Sequence, residues 1–192
     1  MKKIISKEET EKKEKRNQLI VGVLLVGVML FSTIGYSIMS KDENSSDYET
    51  TKYNGFEFLE KNELWYLEFS ENVFVFTYNP NEIERIDSYA STLENYYNQP
   101  LYIFSENSQA KLEIYRNMNN YVQRIQDACL DGEKCLDKNF PVKNCENDNF
   151  IIIKESKTSG IKQENKCVFI EGNNETIVKN TDEFLFKILS IV

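Results

Sequence analysis

LYIFSENSQAKLEIYRNMNNYVQRIQDACL, residues 101–130, places a strand signal and a helix signal on either side of a capping tetrad. Leu101-Tyr102-Ile103-Phe104 is apolar throughout, as a strand covered on both faces must be. Ser105-Glu106-Asn107-Ser108 supplies short polar side chains that accept hydrogen bonds from the first free N–H groups of a helix. From Gln109 to about Leu130 the apolar residues Ile114, Met118, Tyr121, Val122, Ile125 and Cys129 recur at helical spacing. Glu113, Arg116, Asn120, Gln123 and Asp127 fall elsewhere on the same helix. The spacing therefore predicts a long amphipathic helix, stopped near Gly132 and packed on the strand before it.

Working towards the N-terminus, Phe56–Leu59, Leu64–Phe69 and Val73–Tyr78 are aromatic and β-branched runs with short polar breaks, the pattern of a β-meander. Val73-Phe74-Val75-Phe76 is apolar on both faces and reads as a central strand. Asn79-Pro80-Asn81 stops it, and a modest helix over Glu82–Tyr97 follows, ending before Pro100. Towards the C-terminus, Phe150–Lys154 and Cys167–Ile170 read as strands with a turn at Ser159-Gly160. Thr181-Asp182 reads as the cap of a last helix carrying Phe184, Leu185, Ile188 and Leu189. Alternating strands and helices define one α/β domain, a mixed sheet with flanking helices, over residues 55–192.

Leu19–Met39 is an uncharged apolar run. About 20 residues at about 1.5 Å rise cover the hydrocarbon core of a bilayer, so the run reads as a single-pass transmembrane helix. Its end, Tyr36-Ser37-Ile38-Met39-Ser40, lacks the small-x-small pattern of a cleaved signal peptide, which makes it a retained signal-anchor. Residues 1–40 carry 7 basic and 4 acidic groups, net +3; residues 41–192 carry 16 and 27, net −11. Basic flanks stay inside. Residues 1–18 thus form a cytoplasmic head, 19–39 the span, 40–54 a flexible polar stalk, and the acidic domain lies outside at the cell membrane. The bilayer is one partner, reached through Leu19–Met39, and the negative charge speaks against nucleic acid.

Cys129, Cys135, Cys145 and Cys167 all fall beyond the run. Gaps of 5, 9 and 21 residues, with no histidine in the chain, fit neither a zinc site nor a C-x-x-C redox centre. An even number of cysteines in an oxidising compartment argues for two disulfides, and Cys129–Cys135 with Cys145–Cys167 is the expected pairing among three. Two sequons, at Asn44 and Asn174, are candidate glycosylation sites.

Without histidine, Ser-His-Asp and Cys-His catalysis are excluded, and no glycine-rich phosphate loop is present. Glu82, Glu84, Asp87 and Glu106 sit near expected carboxyl ends of strands, where α/β domains bind ligands. Arg116 and Arg124, eight apart, share a face of the expected long helix. Tyr96-Tyr97 is the best exposed aromatic pair, and Trp65 and Tyr102 are expected in the core. No metal, cofactor or catalytic residue is implied. The sequence therefore points to a non-enzymatic envelope protein whose outer domain binds a protein or envelope component, with Tyr96, Tyr97, Arg116 and Arg124 as its candidate contact surface. The alternative is an extracytoplasmic hydrolase of glycan or peptide using paired carboxylates.

Overall fold

A computed structural model describes residues 16–26, 28–29, 48–133, 135 and 137–192. The chain divides into two units, residues 1–47 and residues 48–192. In the first, residues 16–26 and 28–29 are helical, and their apolar side chains are exposed, Leu19 at 69% and Leu24 at 63%. Residues 27 and 30–39 of the apolar run lie outside the described residues, as do residues 1–15 and 40–47. Among the described residues no helix is long and apolar enough to cross a membrane.

The second unit opens with four antiparallel strands in sequence order: β1 (Thr50–Tyr53), β2 (Phe56–Lys61), β3 (Leu64–Phe69) and β4 (Asn72–Phe76). The three turns are two-residue reversals in which both residues have positive φ: Asn54-Gly55, Asn62-Glu63 and Ser70-Glu71. That conformation matches the right-handed twist of the strands it joins, so each turn sets a register that keeps one face apolar. Phe58, Trp65, Leu67, Phe74 and Phe76 all point into the core. Two expectations are corrected here. Thr50–Tyr53, read as the end of a flexible stalk, is a strand because it gains ladder partners along β2. β4 is an edge strand rather than a central one, with Val73 57% exposed.

The remaining strands are β5 (Pro100–Ser105), β6 (Arg124–Asp127), β7 (Cys129–Leu130), β8 (Val142–Lys143), β9 (Asn149–Glu155), β10 (Gly160–Glu164) and β11 (Cys167–Gly172). Five form a mixed sheet in the order β10-β11-β9-β5-β6, parallel except for β10 against β11, while β7 and β8 make a parallel pair. Ile151 and Ile153 of the central strand β9 enter the main core, and Phe150 and Ile152 enter a second cluster on the opposite face. This two-sided burial is why the strand is apolar at consecutive positions.

Two helices, α1 (Ser108–Met118) and α2 (Ile177–Ile188), lie between the sheets, because their core residues share one cluster with the inward faces of both. The Asn107 carboxamide caps α1, accepting from Gln109 N and Ala110 N at 3.1 and 3.0 Å. The helix expected to reach Leu130 stops at Met118, and β6 follows it. Residues 124–127 continue the parallel ladder on the free edge of β5, where Ile125 lies beside Leu101. The helix expected over Glu82–Tyr97 reduces to a 3-10 turn at Leu93–Tyr96. In the connection before it, the N–H groups of Tyr78, Asn79, Ile86 and Ser91 bond to side chains instead of helical carbonyls.

Thr181-Asp182, expected as the cap of the last helix, lies inside α2, where Thr181 Oγ1 donates to Ile177 O at 2.8 Å. β11 meets the start of this helix at Gly172. A Cβ there would lie 2.8 Å from Thr176 Oγ1, 2.9 Å from Asn180 Nδ2 and 3.0 Å from the Ile177 Cα. Because one of these neighbours is backbone, Gly172→Ala is expected to destabilise by about 1–3 kcal/mol. A denaturant midpoint equal to that of the parent would refute the close approach.

The cysteines pair as expected, Cys129 with Cys135 and Cys145 with Cys167, at Cα–Cα distances of 5.3 and 4.9 Å. The second bridge ties the loop after β8 to β11. Its sulfurs join Tyr102, Ala128, Phe150 and Ile152 on the sheet face turned away from the helices.

Candidate functional site

At the amino ends of the parallel strands lies a groove of about 320 Å³. The approach to β5 supplies Ser91, Glu94, Asn95, Tyr96, Tyr97 and Gln99. The start of β9 adds Asn149, and the β10–β11 hairpin adds Gln163, Asn165 and Lys166. Its walls are fixed by hydrogen bonds. Ser91 N donates to Gln163 Oε1 at 2.6 Å, and Gln163 Nε2 donates to Ser91 Oγ at 2.7 Å and to Asn165 O at 2.9 Å. Asn149 Nδ2 donates to Asn95 O at 3.3 Å. Backbone bonds Gln99 N to Tyr96 O and Gln123 N to Gln99 O hold the approach to β5.

Of the aromatic pair, only Tyr97 is exposed, at 67%; Tyr96 is 2% exposed, and its burial pushes the phenol pKa upwards. One residue thus anchors the wall while the next presents its ring. Among the described residues, the side chains of Gln99 and Asn165 and the Tyr97 hydroxyl make no hydrogen bond, which leaves them for a ligand.

Arg116 and Arg124 do not share a surface, because the helix ends between them. Arg116 pairs with the buried Glu113 inside the helix layer. Arg124, on β6, donates to the Tyr102 hydroxyl at 3.1 Å on the other side of the sheet. Lys143, with Nζ 4.1 Å from the centre of the Tyr102 ring, is the main cause of a lowered phenol pKa there, and Arg124 adds to it. Tyr102 and Trp65 are buried, as expected.

The strand-end acids separate into three places. Glu82 and Glu84 line a cavity of about 400 Å³ with Arg85, Ser159, Lys179 and Asn180, beside the start of α2. The Glu106 carboxylate accepts from Glu155 N at 2.8 Å, between the carboxyl ends of β5 and β9. Asp87 lines neither cavity. Asn174 is exposed just before α2, and Asn44 lies outside the described residues.

The acids that the sequence concealed are Glu113, Asp182 and Glu183, all 2% exposed or less. Asp182 Oδ2 accepts from Tyr78 N at 2.9 Å, Glu113 Oε1 accepts from Thr77 Oγ1, and Glu183 Oε1 accepts from Ile86 N at 3.3 Å. Asp182 Oδ1 and Glu113 Oε2 are buried without a hydrogen-bond partner. Burial first, and then the Glu113 charge, raise the Asp182 pKa well above the carboxylate range. The signal in the sequence was Ile177-Val178, which places Asn180–Glu183 in the middle of an apolar helix rather than ahead of it.

No known protein family matches the chain, and no curated protein or solved structure does either.

Proposed function

We propose that this chain is a non-enzymatic, single-pass membrane protein whose extracytoplasmic domain binds an envelope component at the groove beside Tyr97. The observation that carries this reading is the groove itself: fixed walls, an exposed aromatic ring and uncommitted carboxamides. Pre-organised walls lower the ordering cost of association, which favours a binding surface. The anchor and its orientation are supported by the uncharged run Leu19–Met39, its basic flank and the exposure of its helical residues. Two disulfides fit an oxidising compartment on the far side of that membrane. In that compartment Asn44 and Asn174 are open to glycosylation.

A photoreactive residue placed at Tyr97 in intact membranes is expected to give one reproducible adduct. The same residue at Leu112, which is 58% exposed on α1, is expected to give none. Equal labelling from both positions, or none from either, would sink the proposal.

One observation favours the hydrolase reading: Glu82 and Glu84 line the same cavity at the carboxyl edge of the sheet. Release of product from glycan or peptide, abolished by both Glu82→Gln and Glu84→Gln, would replace the binding module with an enzyme.

A further inference from the structure

We infer that the ligand of the Tyr97 groove is an uncharged glycan, an inference that rests on reading that groove as the binding site. Three features select the chemistry. First, the charged side chains that line it are Glu94 and Lys166, one of each sign, so the groove offers no net charge to an anion or a cation. Lys166 is also committed, donating to Asn147 O at 3.2 Å. Second, the polar lining is dominated by carboxamides. Each carries donors and an acceptor at one point, which matches sugar hydroxyls and acetamido groups that both give and take a hydrogen bond. Gln99 and Asn165 bring both functions uncommitted.

Third, Tyr97 is held beside these groups by the buried Tyr96, so its exposed ring supplies an apolar platform. A rigid aromatic face suits the flat C–H side of a sugar ring. The groove's volume of about 320 Å³ lies at the small end of the roughly 300–1,000 Å³ usual for small-ligand sites. That size takes one or two sugar units of a longer chain. A protein partner would need a wider contact with an apolar centre, and this polar groove supplies neither.

The test uses the full-length protein in detergent micelles, titrated with N-acetylglucosamine tetraose and, separately, maltotetraose. Saturable binding of either is expected; preference for the first assigns acetamido recognition, and equal binding assigns hydroxyl recognition. Tyr97→Ala is expected to weaken binding roughly tenfold, and Gln99→Ala and Asn165→Ala about fivefold each, from lost stacking and lost hydrogen bonds. Thermal midpoints within about a degree of the parent would show that the variants are folded. No saturable binding of either sugar overturns the glycan inference, and so does binding that Tyr97→Ala leaves unchanged. Protein adducts from the Tyr97 photoprobe, with no sugar binding, would overturn the glycan while keeping the groove. No adduct and no sugar binding would remove both.

Discussion

Replacement of Asp182 by alanine is expected to cost about 1–3 kcal/mol of folding free energy, while Asp182→Asn keeps the fold and removes one component of its pH dependence. Alanine strands a part-buried donor, the Tyr78 N–H. Asparagine keeps the acceptor without the ionisable group: its carbonyl accepts from Tyr78 N. The sign of the pH effect follows from the raised folded-state pKa of Asp182. Between its ordinary value of 3.8 and that raised value, the folded chain holds a proton that the unfolded chain has released. This group's contribution is therefore fully present below about pH 4 and declines as pH rises through that window. Glu113 and Arg116 from α1 face the same site, with Glu183 and Lys187 beside it on α2, so the difference between parent and variant isolates Asp182. Denaturant unfolding of the full-length protein from pH 4 to 9 should show the parent losing stability relative to Asp182→Asn as pH rises. Parallel curves would mean that the Asp182 pKa is not raised in the folded chain.

The same acids tie the helix layer to the groove beside Tyr97. Glu113, Asp182 and Glu183 receive hydrogen bonds from Thr77, Tyr78 and Ile86, all on the long connection between β4 and the 3-10 turn. That connection goes on to Ser91, which is locked to Gln163 in the groove wall. Asn117 closes the sequence of contacts at its start, accepting from Val75 N and donating to Val75 O, both at 2.8 Å. A side-chain amide thus occupies the exposed edge of β4 and blunts a strand edge open to pairing with another chain. An irregular segment of this length is held by side chains because it has no ladder of its own.

These buried polar contacts were the least legible part of the sequence. The strands could be read because each depends on neighbours in the chain: Leu64–Phe69 shows its alternation, and Ile151–Ile153 its two-sided burial. The cysteine pairing was one of three that the spacing allows, and spacing alone does not select it. Tyr121, Val122 and Ile125 misled because a helical period and a turn leading into a parallel strand place apolar residues at similar intervals. Only the open edge of β5, a partner distant in sequence, decides between them. Likewise Thr181-Asp182-Glu183 looks like a cap until Glu113 and Tyr78, both remote in the chain, arrive beside it. Of the expected contact residues, Tyr97 and its neighbours reach one groove because they are adjacent in the chain. Arg116 and Arg124 were linked only through a helix that ends before the second.

Phe186→Ala is expected to destabilise by about 3–5 kcal/mol and to loosen the meander before the mixed sheet. Phe186 is fully buried on α2, its ring 4.5 Å from that of Phe76 and 5.8 Å, edge-on, from that of Phe58. Phe58 and Phe76 belong to β2 and β4, so one side chain joins the helix layer to two strands of the four-stranded sheet. The cavity left by alanine cannot close easily, because the strands hold one another through their ladders and α2 is fixed to β11 by the close approach at Gly172. A few strands with one apolar face depend on packing for their stability, and this contact supplies much of it. Hydrogen exchange on the full-length protein should therefore show protection lost in β2–β4 at milder denaturant than in β9 and β11. Equal loss in all of these strands would mean that the two sheets unfold as one unit, and a cost below about 1 kcal/mol would show that the helix and meander are held together by other contacts.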